Sequence, residues 1–457
     1  MSAVVECRDS VEKELEVRWA MSGNFACSVM LMPEMCIAEV KTVVYEKVGI
    51  PVEEQRVFIE GQELPGDSLV NVGPAECPLT LLRSLSDPCI TNLAQLRASK
   101  DLFEPLPRGQ FTVVKKLASG IHGDIFKCCW ERDDFGSQCV AVKKLRNDSL
   151  ELSEDTETNE RTIHMESWVK RPHSEDALRE IGVLMHLSRQ DDLPPYVLRM
   201  LGVYADDGFT WLVSELADGG DLFEIVASQR LGESRVQWFT WHLLQAVAYL
   251  HKQKIGHRDI SLENILLKDG VAKLMDFGMA VQTSSASGIP LRYFQGVGKD
   301  NYRPPEMYVP RVSRIRVTTP PTLAPNRVAM IETCNRNFCE VRFPGEAQAG
   351  QRCMADVWGY SVKPADIFSS GVCLFTMTCN CPPWQKAQLE NTCFSWVRSR
   401  GDAGIKCLME LWNKQSLSPE PLRLLAEMLR PDPTQRPSAA DCLRNTWFEA
   451  MHSAETA

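Results

Sequence analysis

Asp259, Asn264 and Asp276 stand five and twelve residues apart, within the runs HRDISLEN and DFG. A carboxylate that takes a proton from a hydroxyl, beside an amide and a second carboxylate that hold a cation on phosphates, needs this kind of placement. One loop–hairpin–loop carrying all three fixes their separations against a rigid sheet. Upstream, Val140-Ala141-Val142-Lys143 reads as a strand ending in a lysine suited to phosphates, and Glu180 lies on the helical stretch EDALREIGVLMHL, where it can pair with Lys143. Farther upstream, Gly120 and Gly123 in LASGIHGDIF lie between strand-like runs, as a loop covering phosphates with backbone N–H groups requires.

The chain around these motifs places strands first and helices later. Short β-branched runs (111–117, 138–145) precede long helical stretches (234–252, 419–430), which suits a two-lobed α+β enzyme. The N-terminal part has its own pattern. Strands are expected at 14–20 and 25–31, joined by a turn at Met21–Asn24. Ile37, Val40, Val44 and Val48 make one helix face, ended by Gly49 and Pro51. Strands follow at Gln55–Ile59 and Leu79–Leu82, with a turn at Glu60-Gly61. Residues 86–107, with three prolines, read as a linker.

Composition narrows the class. A chain of 457 residues with 44% hydrophobic and 24% charged residues is globular and long enough for two or three domains. No stretch approaches the apolar length of a membrane helix, and Glu6, Asp9, Glu12, Glu14 and Glu16 suit no targeting peptide. The seventeen cysteines form no paired zinc spacing and fit a reducing compartment, so the expected location is cytoplasmic, with the nucleus left open. Residues 1–85 carry seven Lys/Arg against fourteen Asp/Glu, or −7 of the net −10. Neither part is basic enough for nucleic acid as the main partner.

Residues 14–85, and most clearly IAEVKTVVYEKVGIPVEEQRVFIEGQEL, resemble ubiquitin in a β-β-α-β-β order. The resemblance implies a β-grasp domain that docks a partner or restrains the rest of the chain; Phe58 and Leu82 fall where ubiquitin carries part of its apolar patch, or read simply as core or surface apolar residues. Leu85-Ser86-Asp87 stands where ubiquitin carries its terminal Gly-Gly, which argues against conjugation.

The ordered motifs of residues 108–450 resemble the eukaryotic protein kinase signature. The resemblance implies an α+β, bilobal protein kinase fold preceded by the β-grasp domain, with ATP and Mg2+ as cofactors and protein substrates. It makes Asp259 the base, Lys143 and Glu180 the activating ion pair, and Asn264 and Asp276 the magnesium ligands. His257 and Phe277 become part of the internal spine. Ala118 (where a first glycine is usual), Gly120, Gly123, Ile125, Ala141, Ser214, Glu215, Ala217, Asp221 and Glu263 fall around the nucleotide. Asp221 and Glu263 match family positions that contact ribose or a basic substrate residue; the other reading is two solvated acids. Glu306 is expected to pair with Arg436, and Asp366 opens the central helix. The run LSPEPLRLLAEMLRPDPTQRPSAADCLRNTWF looks most like the calcium/calmodulin-kinase branch of Ser/Thr kinases.

Three departures carry expectations. Ser261 replaces the usual catalytic-loop lysine and Lys299 the usual threonine, suggesting a reciprocal exchange of cation and hydroxyl; the alternative is a solvent-facing Lys299 and a weaker site. The missing lysine at 261 also leaves tyrosine open as acceptor. Ser214, at the gatekeeper position, implies a deep pocket behind the adenine site. Arg258 before the base implies control by a phosphate on Thr283, Ser284, Ser285 or Ser287. Inserts at about 147–175 and 308–362 lengthen the domain, and the second opens with Arg311, Arg314, Arg316 and Arg327 beside the expected substrate site. It reads either as a docking element or as an inert elaboration. The leading function is phosphate transfer from MgATP to Ser/Thr of proteins; a pseudokinase scaffold and a ubiquitin-like adaptor are the other readings.

Overall fold

The computed structural model describes residues 13–455 apart from 20–24, 33–34, 49–54, 60–61, 65–77, 84–95, 97, 99, 101–102, 108, 121, 133–135, 148–149, 151–175, 285–289, 311, 313, 325–326, 334–337 and 415–416. The turns expected at Met21–Asn24 and Glu60-Gly61, most of the 147–175 insert, Ser285, Ser287 and Arg311 lie outside the described residues. Two compact units account for the rest. One takes residues from 1–88, 313–329 and 341–357, the other from 89–312, 330–340 and 358–457.

In the first unit, β1 (Lys13–Trp19), β2 (Phe25–Leu31), β3 (Gln55–Ile59), β4 (Gln62–Glu63) and β5 (Leu79–Arg83) form a sheet in the order β2-β1-β5-β3-β4. β1 runs antiparallel to β2 and parallel to β5. Alternation sorts the faces: Leu15 and Val17 of β1 and Cys27, Val29 and Leu31 of β2 are buried. Helix α1 (Ile37–Val48) adds Ile37, Val40 and Val44 to the same core, at the spacing of one helical face.

The second unit opens with β6 (Glu104–Pro105), β7 (Phe111–Ser119), β8 (Gly123–Arg132), β9 (Gly136–Arg146), β10 (Met200–Ala205) and β11 (Phe209–Glu215). They pair in the order β6-β10-β11-β9-β8-β7. Trp130, Val140, Val142 and Val213 form a small core of this sheet, with Phe111 stacked on Trp130 at 5.3 Å between centroids. Helix α2 (Ala177–Ser188) begins at Asp176, whose carboxylate accepts the backbone N–H groups of Leu178 and Arg179.

The remainder is mostly helical: α3 (Leu222–Ser228), α4 (Glu233–Lys252), α5 (Val362–Cys379), α6 (Thr392–Arg398), α7 (Gly404–Leu411) and α8 (Pro419–Met428). α5 is buried almost all round despite its hydroxyl residues. Ser370, Thr376 and Thr378 each donate to the carbonyl four residues back, so their burial leaves no donor unmet. Gly371 lets α8 close in, since a Cβ there would lie 3.0 Å from Met428 and Leu429. Among the described residues no helix is long and apolar enough to cross a membrane.

Between Glu306 and Asp366 the chain makes β16 (Arg314–Thr318), β17 (Val328–Glu332), β18 (Phe338–Arg342) and β19 (Arg352–Val357), paired in the order β16-β19-β18-β17. Its basic residues are partly used internally. Arg314 pairs with Asp356 at 3.1 Å, and Arg327 donates to the carbonyls of Pro344 and Ala347.

Candidate active site

Strand β12 (Ile255–Gly256) delivers the chain into the loop His257–Asn264, and the hairpin β13 (Ile265–Lys268) and β14 (Val271–Leu274) returns it to Asp276. β15 (Val281–Gln282) then pairs back onto β12. The loop is anchored from α5. Asp366, buried, accepts the backbone N–H groups of His257 and Arg258, each at 2.9 Å, and lies 3.0 Å from His251 Nε2. His257 donates from Nε2 to Met275 O at 3.0 Å, which leaves Nδ1 to accept the Asp259 N–H at 3.3 Å. Its ring lies 5.2 Å from that of Phe277. Arg258 and Asp276 adopt left-handed φ values of 67° and 65°. Such backbone costs about 1–3 kcal/mol per residue and persists where surrounding bonds enforce it.

Asp259 is the centre of this loop. Asn264 Nδ2 donates both to the Asp259 backbone carbonyl at 2.8 Å and to its Oδ2 at 2.9 Å, while the Lys299 N–H reaches Oδ1 at 3.2 Å. Lys299 Nζ donates to Ser261 Oγ at 2.8 Å and stands 3.6 Å from Asp259 Oδ2. Lys299 therefore does not simply face solvent. Burial pushes the Asp259 carboxyl up, and Lys299, His257 and Asn264 pull it back toward the ionised form. A buried carboxylate held this way can accept a proton from a hydroxyl brought beside it.

Lys143, on β9, pairs with Glu180, on α2, at 2.6 Å, and both side chains are largely buried. Burial raises the Glu180 carboxyl, against the pull of Lys143. The charge of Asp276 adds to that rise, and also to that of Asp259, so the three carboxylates share one electrostatic neighbourhood. A divalent cation would relieve that repulsion. Asp276 offers carboxylate oxygens, and Asn264, with its Nδ2 on Asp259, offers an amide oxygen. An all-oxygen donor set of two residues suits Mg2+, which takes its other ligands from phosphates and water. Among the described residues no cluster of three or more His, Cys, Asp or Glu could hold a metal.

Of the expected nucleotide-lining residues, Ala118, Gly123, Ile125, Ala141, Lys143, Ser214 and Glu215 fall on adjacent strands of the sheet. Ala118 pairs with Ile125 across β7 and β8, and Gly120 N–H bonds Gly123 O at 2.8 Å, closing the turn between them. Gly123 is required for a different reason, since a Cβ there would meet Lys144 O at 2.0 Å. Ala141 on β9 lies opposite Ser214 on β11, which is buried. The side chains of Glu215 and Asp221 have other work. Glu215 pairs with Lys268 at 2.8 Å and Lys273 at 2.9 Å, so its carboxylate is taken up within the protein. Asp221 caps α3 by accepting the Glu224 N–H at 2.8 Å, and one oxygen of Glu263 is buried, so neither is a freely solvated acid. Thr283 is buried too, which shuts its hydroxyl away from a modifying enzyme. Tyr360, to which the sequence reading assigns no role, reaches Arg258 across 102 residues, and no local pattern could have marked it.

The protein kinase domain model matches residues 111–316 and 358–448. The serine/threonine-protein kinase CHK1 of Saccharomyces cerevisiae is 30% identical over 246 residues, 53% of this chain and 37% of that protein. Calcium-dependent protein kinase 17 of Arabidopsis thaliana is 25% identical over 362 residues, 78% of this chain and 51% of the relative. CBL-interacting serine/threonine-protein kinase 5 of the same plant is 23% identical over 341 residues, 74% and 58% of the two chains. The chain thus spans between about a third and three fifths of the length of these relatives.

Proposed function

Because this chain belongs to the protein kinase family, we propose that it transfers the γ-phosphate of ATP to serine or threonine of protein substrates. The observation that carries the reading is the Asp259 carboxylate, held between Asn264 Nδ2 at 2.9 Å and Lys299 Nζ at 3.6 Å. In this reading Lys143, fixed by Glu180, orients the α- and β-phosphates, and the turn closed by Gly120 and Gly123 covers them. Asn264 and Asp276 hold magnesium, which when bound offsets charge on the phosphates. Asp259 receives the proton of the attacking hydroxyl. Lys299, with Ser261 as its hydroxyl partner, supplies the cation beside the base. The 2.8 Å Lys299–Ser261 bond supports the reciprocal exchange.

The sheet order β2-β1-β5-β3-β4, with β1 and β5 parallel and α1 in the same core, supports a β-grasp, ubiquitin-like module at 14–85. In our reading it binds a partner protein or restrains the kinase, with 86–107 as linker and 108–450 as the kinase domain, in the cytoplasm. The similarity to calcium-dependent and CBL-interacting kinases supports the calcium/calmodulin-kinase-like branch.

The test is transfer of labelled γ-phosphate from MgATP to a mixed peptide library, with Asp276→Asn as control. Label on serine or threonine that disappears in the control is the expected result. Label on tyrosine would change the acceptor class. Nucleotide binding without transfer would leave a scaffold.

A further inference from the structure

The arginine before the base is expected to meet a phosphate on the activation segment, which runs from Asp276 to Glu306. In the structure its guanidinium is already engaged. Arg258 is buried, its Nε donates to Met279 O at 2.7 Å, and its Nη1 reaches the Tyr360 hydroxyl at 3.4 Å. The guanidinium also lies 5.2 Å from the centroid of the Tyr293 ring, within cation–π range.

Tyr360 ends the long stretch between Glu306 and Asp366, and it is fully buried. Burial pushes its phenol up, so the hydroxyl keeps its proton and donates it to Gln295 O at 2.8 Å while accepting from Arg258. Tyr360 and Tyr293 also exchange both backbone bonds, at 2.8 and 3.0 Å. Gly359 makes the approach feasible, with φ at 68° and a Cβ position only 2.5 Å from Tyr293 O. The preceding residue of the activation segment is held independently. Arg292 Nη1 pairs at 2.8 Å with Glu340, a buried carboxylate from the same stretch, whose carbonyl accepts the Trp358 N–H at 2.9 Å.

Glu340, in the stretch that the kinase domain match skips, and Tyr360, just after the match resumes, thus engage consecutive residues of the activation segment, and Tyr360 also engages the arginine beside the base. A phosphate on the segment would do the same by adding an anionic partner for arginine. Resting on the kinase reading above, we propose that Tyr360 and Glu340 are positioning residues that order the activation segment in place of a phosphate. The kinase then works without phosphorylation of that segment, and these two residues serve as an internal clamp.

The experiment uses the full chain, stripped by a broad phosphatase and verified by intact mass. Transfer to peptides and hydrogen exchange of residues 290–296 are read in wild type, Tyr360→Phe and Glu340→Gln. The stripped wild type should keep its kcat within about twofold of the untreated protein. Each variant should lose kcat by roughly tenfold or more, with KM for ATP nearly unchanged, as misplacement of catalytic groups does. Exchange at 290–296 should rise in both. Stripped wild type that is inactive until its segment is phosphorylated overturns the clamp and leaves the kinase reading standing. Unchanged kcat and exchange in both variants also overturn it. Should a variant fail to fold, the stripped wild type alone decides. Wild type inactive in every state removes the kinase reading, and the exchange data still accept or reject the clamp.

Discussion

Lys299 and Ser261 meet at 2.8 Å beside a carboxylate that burial pushes toward its protonated form. The cation favours the ionised form of Asp259, and in the function proposed above it also stands beside the transferred phosphate. The first effect gives a pH signature. Removing Lys299 leaves burial opposed only by His257 and Asn264, so the Asp259 carboxyl must rise further. A higher value means fewer ionised bases at any acidic pH, and the acid limb of kcat/KM should move to higher pH in Lys299→Ala. We expect kcat/KM at neutral pH to fall by about 10²-fold or more. Ser261→Ala, which removes only a hydroxyl, should cost less. The double change Ser261→Lys with Lys299→Thr should recover activity relative to Lys299→Ala, because it returns the cation from the other side. An unmoved acid limb, or a double variant no better than Lys299→Ala, would show that Lys299 is incidental. The pairing was legible in the sequence because both residues sit in motifs of fixed spacing. The engagement of Asp221 as a helix cap and of Glu215 with Lys268 and Lys273 was not. Both side chains are spent on neighbours that the nucleotide-contact motif does not contain.

Elements were legible where a single period governs them. The helix expected from Ile37 to Val48 and the strands at 25–31 and 55–59 coincide with α1, β2 and β3, since one face of each meets a core. Within the second insertion β18 (FCEVR) carries the plainest local strand pattern, with Phe338 and Val341 buried. β16, with arginine at alternate positions, and β19, with few β-branched residues, carry weaker signals, and long-range pairing rather than local pattern makes them strands. α2 shows how such contacts reach the site. In the stretch read as a linker, Leu96 and Ala98 are buried, and the Ala98 N–H bonds Leu178 O at 2.9 Å. A Cβ on Gly182 would fall 1.8 Å from Leu96 O. On an open helix face Gly→Ala stabilises by about 1 kcal/mol. Here the neighbour is backbone, so Gly182→Ala must displace either residues 96–98 or the helix that holds Glu180. We expect a lowered unfolding midpoint and weaker ATP binding, read by chemical denaturation and calorimetry. A more stable Gly182→Ala protein with unchanged ATP affinity would mean that the contact is not made in solution.

At the scale of the whole kinase unit, Arg436 joins stretches far apart in the chain. Its guanidinium meets Glu306 through two bonds, at 2.5 and 2.8 Å, and both side chains are fully buried. The remaining N–H groups go to the carbonyls of Arg430, Pro364 and Pro431 at 2.7 to 3.0 Å, so all five donors of the fork are used. The plane also lies 4.8 Å from the Phe368 ring centroid on α5. One side chain therefore ties the end of the activation segment to the start of the central helix and to the turn after α8. The net worth of such a pair is modest, because burying both charges is costly, but removing one partner strands the other. Arg436→Met should lower unfolding free energy by roughly 3–5 kcal/mol. Arg436→Lys keeps the charge but has at most three donors for five acceptor contacts, so it should fall between Met and wild type. Adding Glu306→Leu to Arg436→Met should recover part of the loss, since no charge is then left buried. A cost below about 1 kcal/mol for Arg436→Met, the level of an exposed pair, would mean that water reaches Glu306 and that this junction is not a closed core contact. The recovery in the double variant is the more discriminating result, because a role in packing alone predicts additive losses.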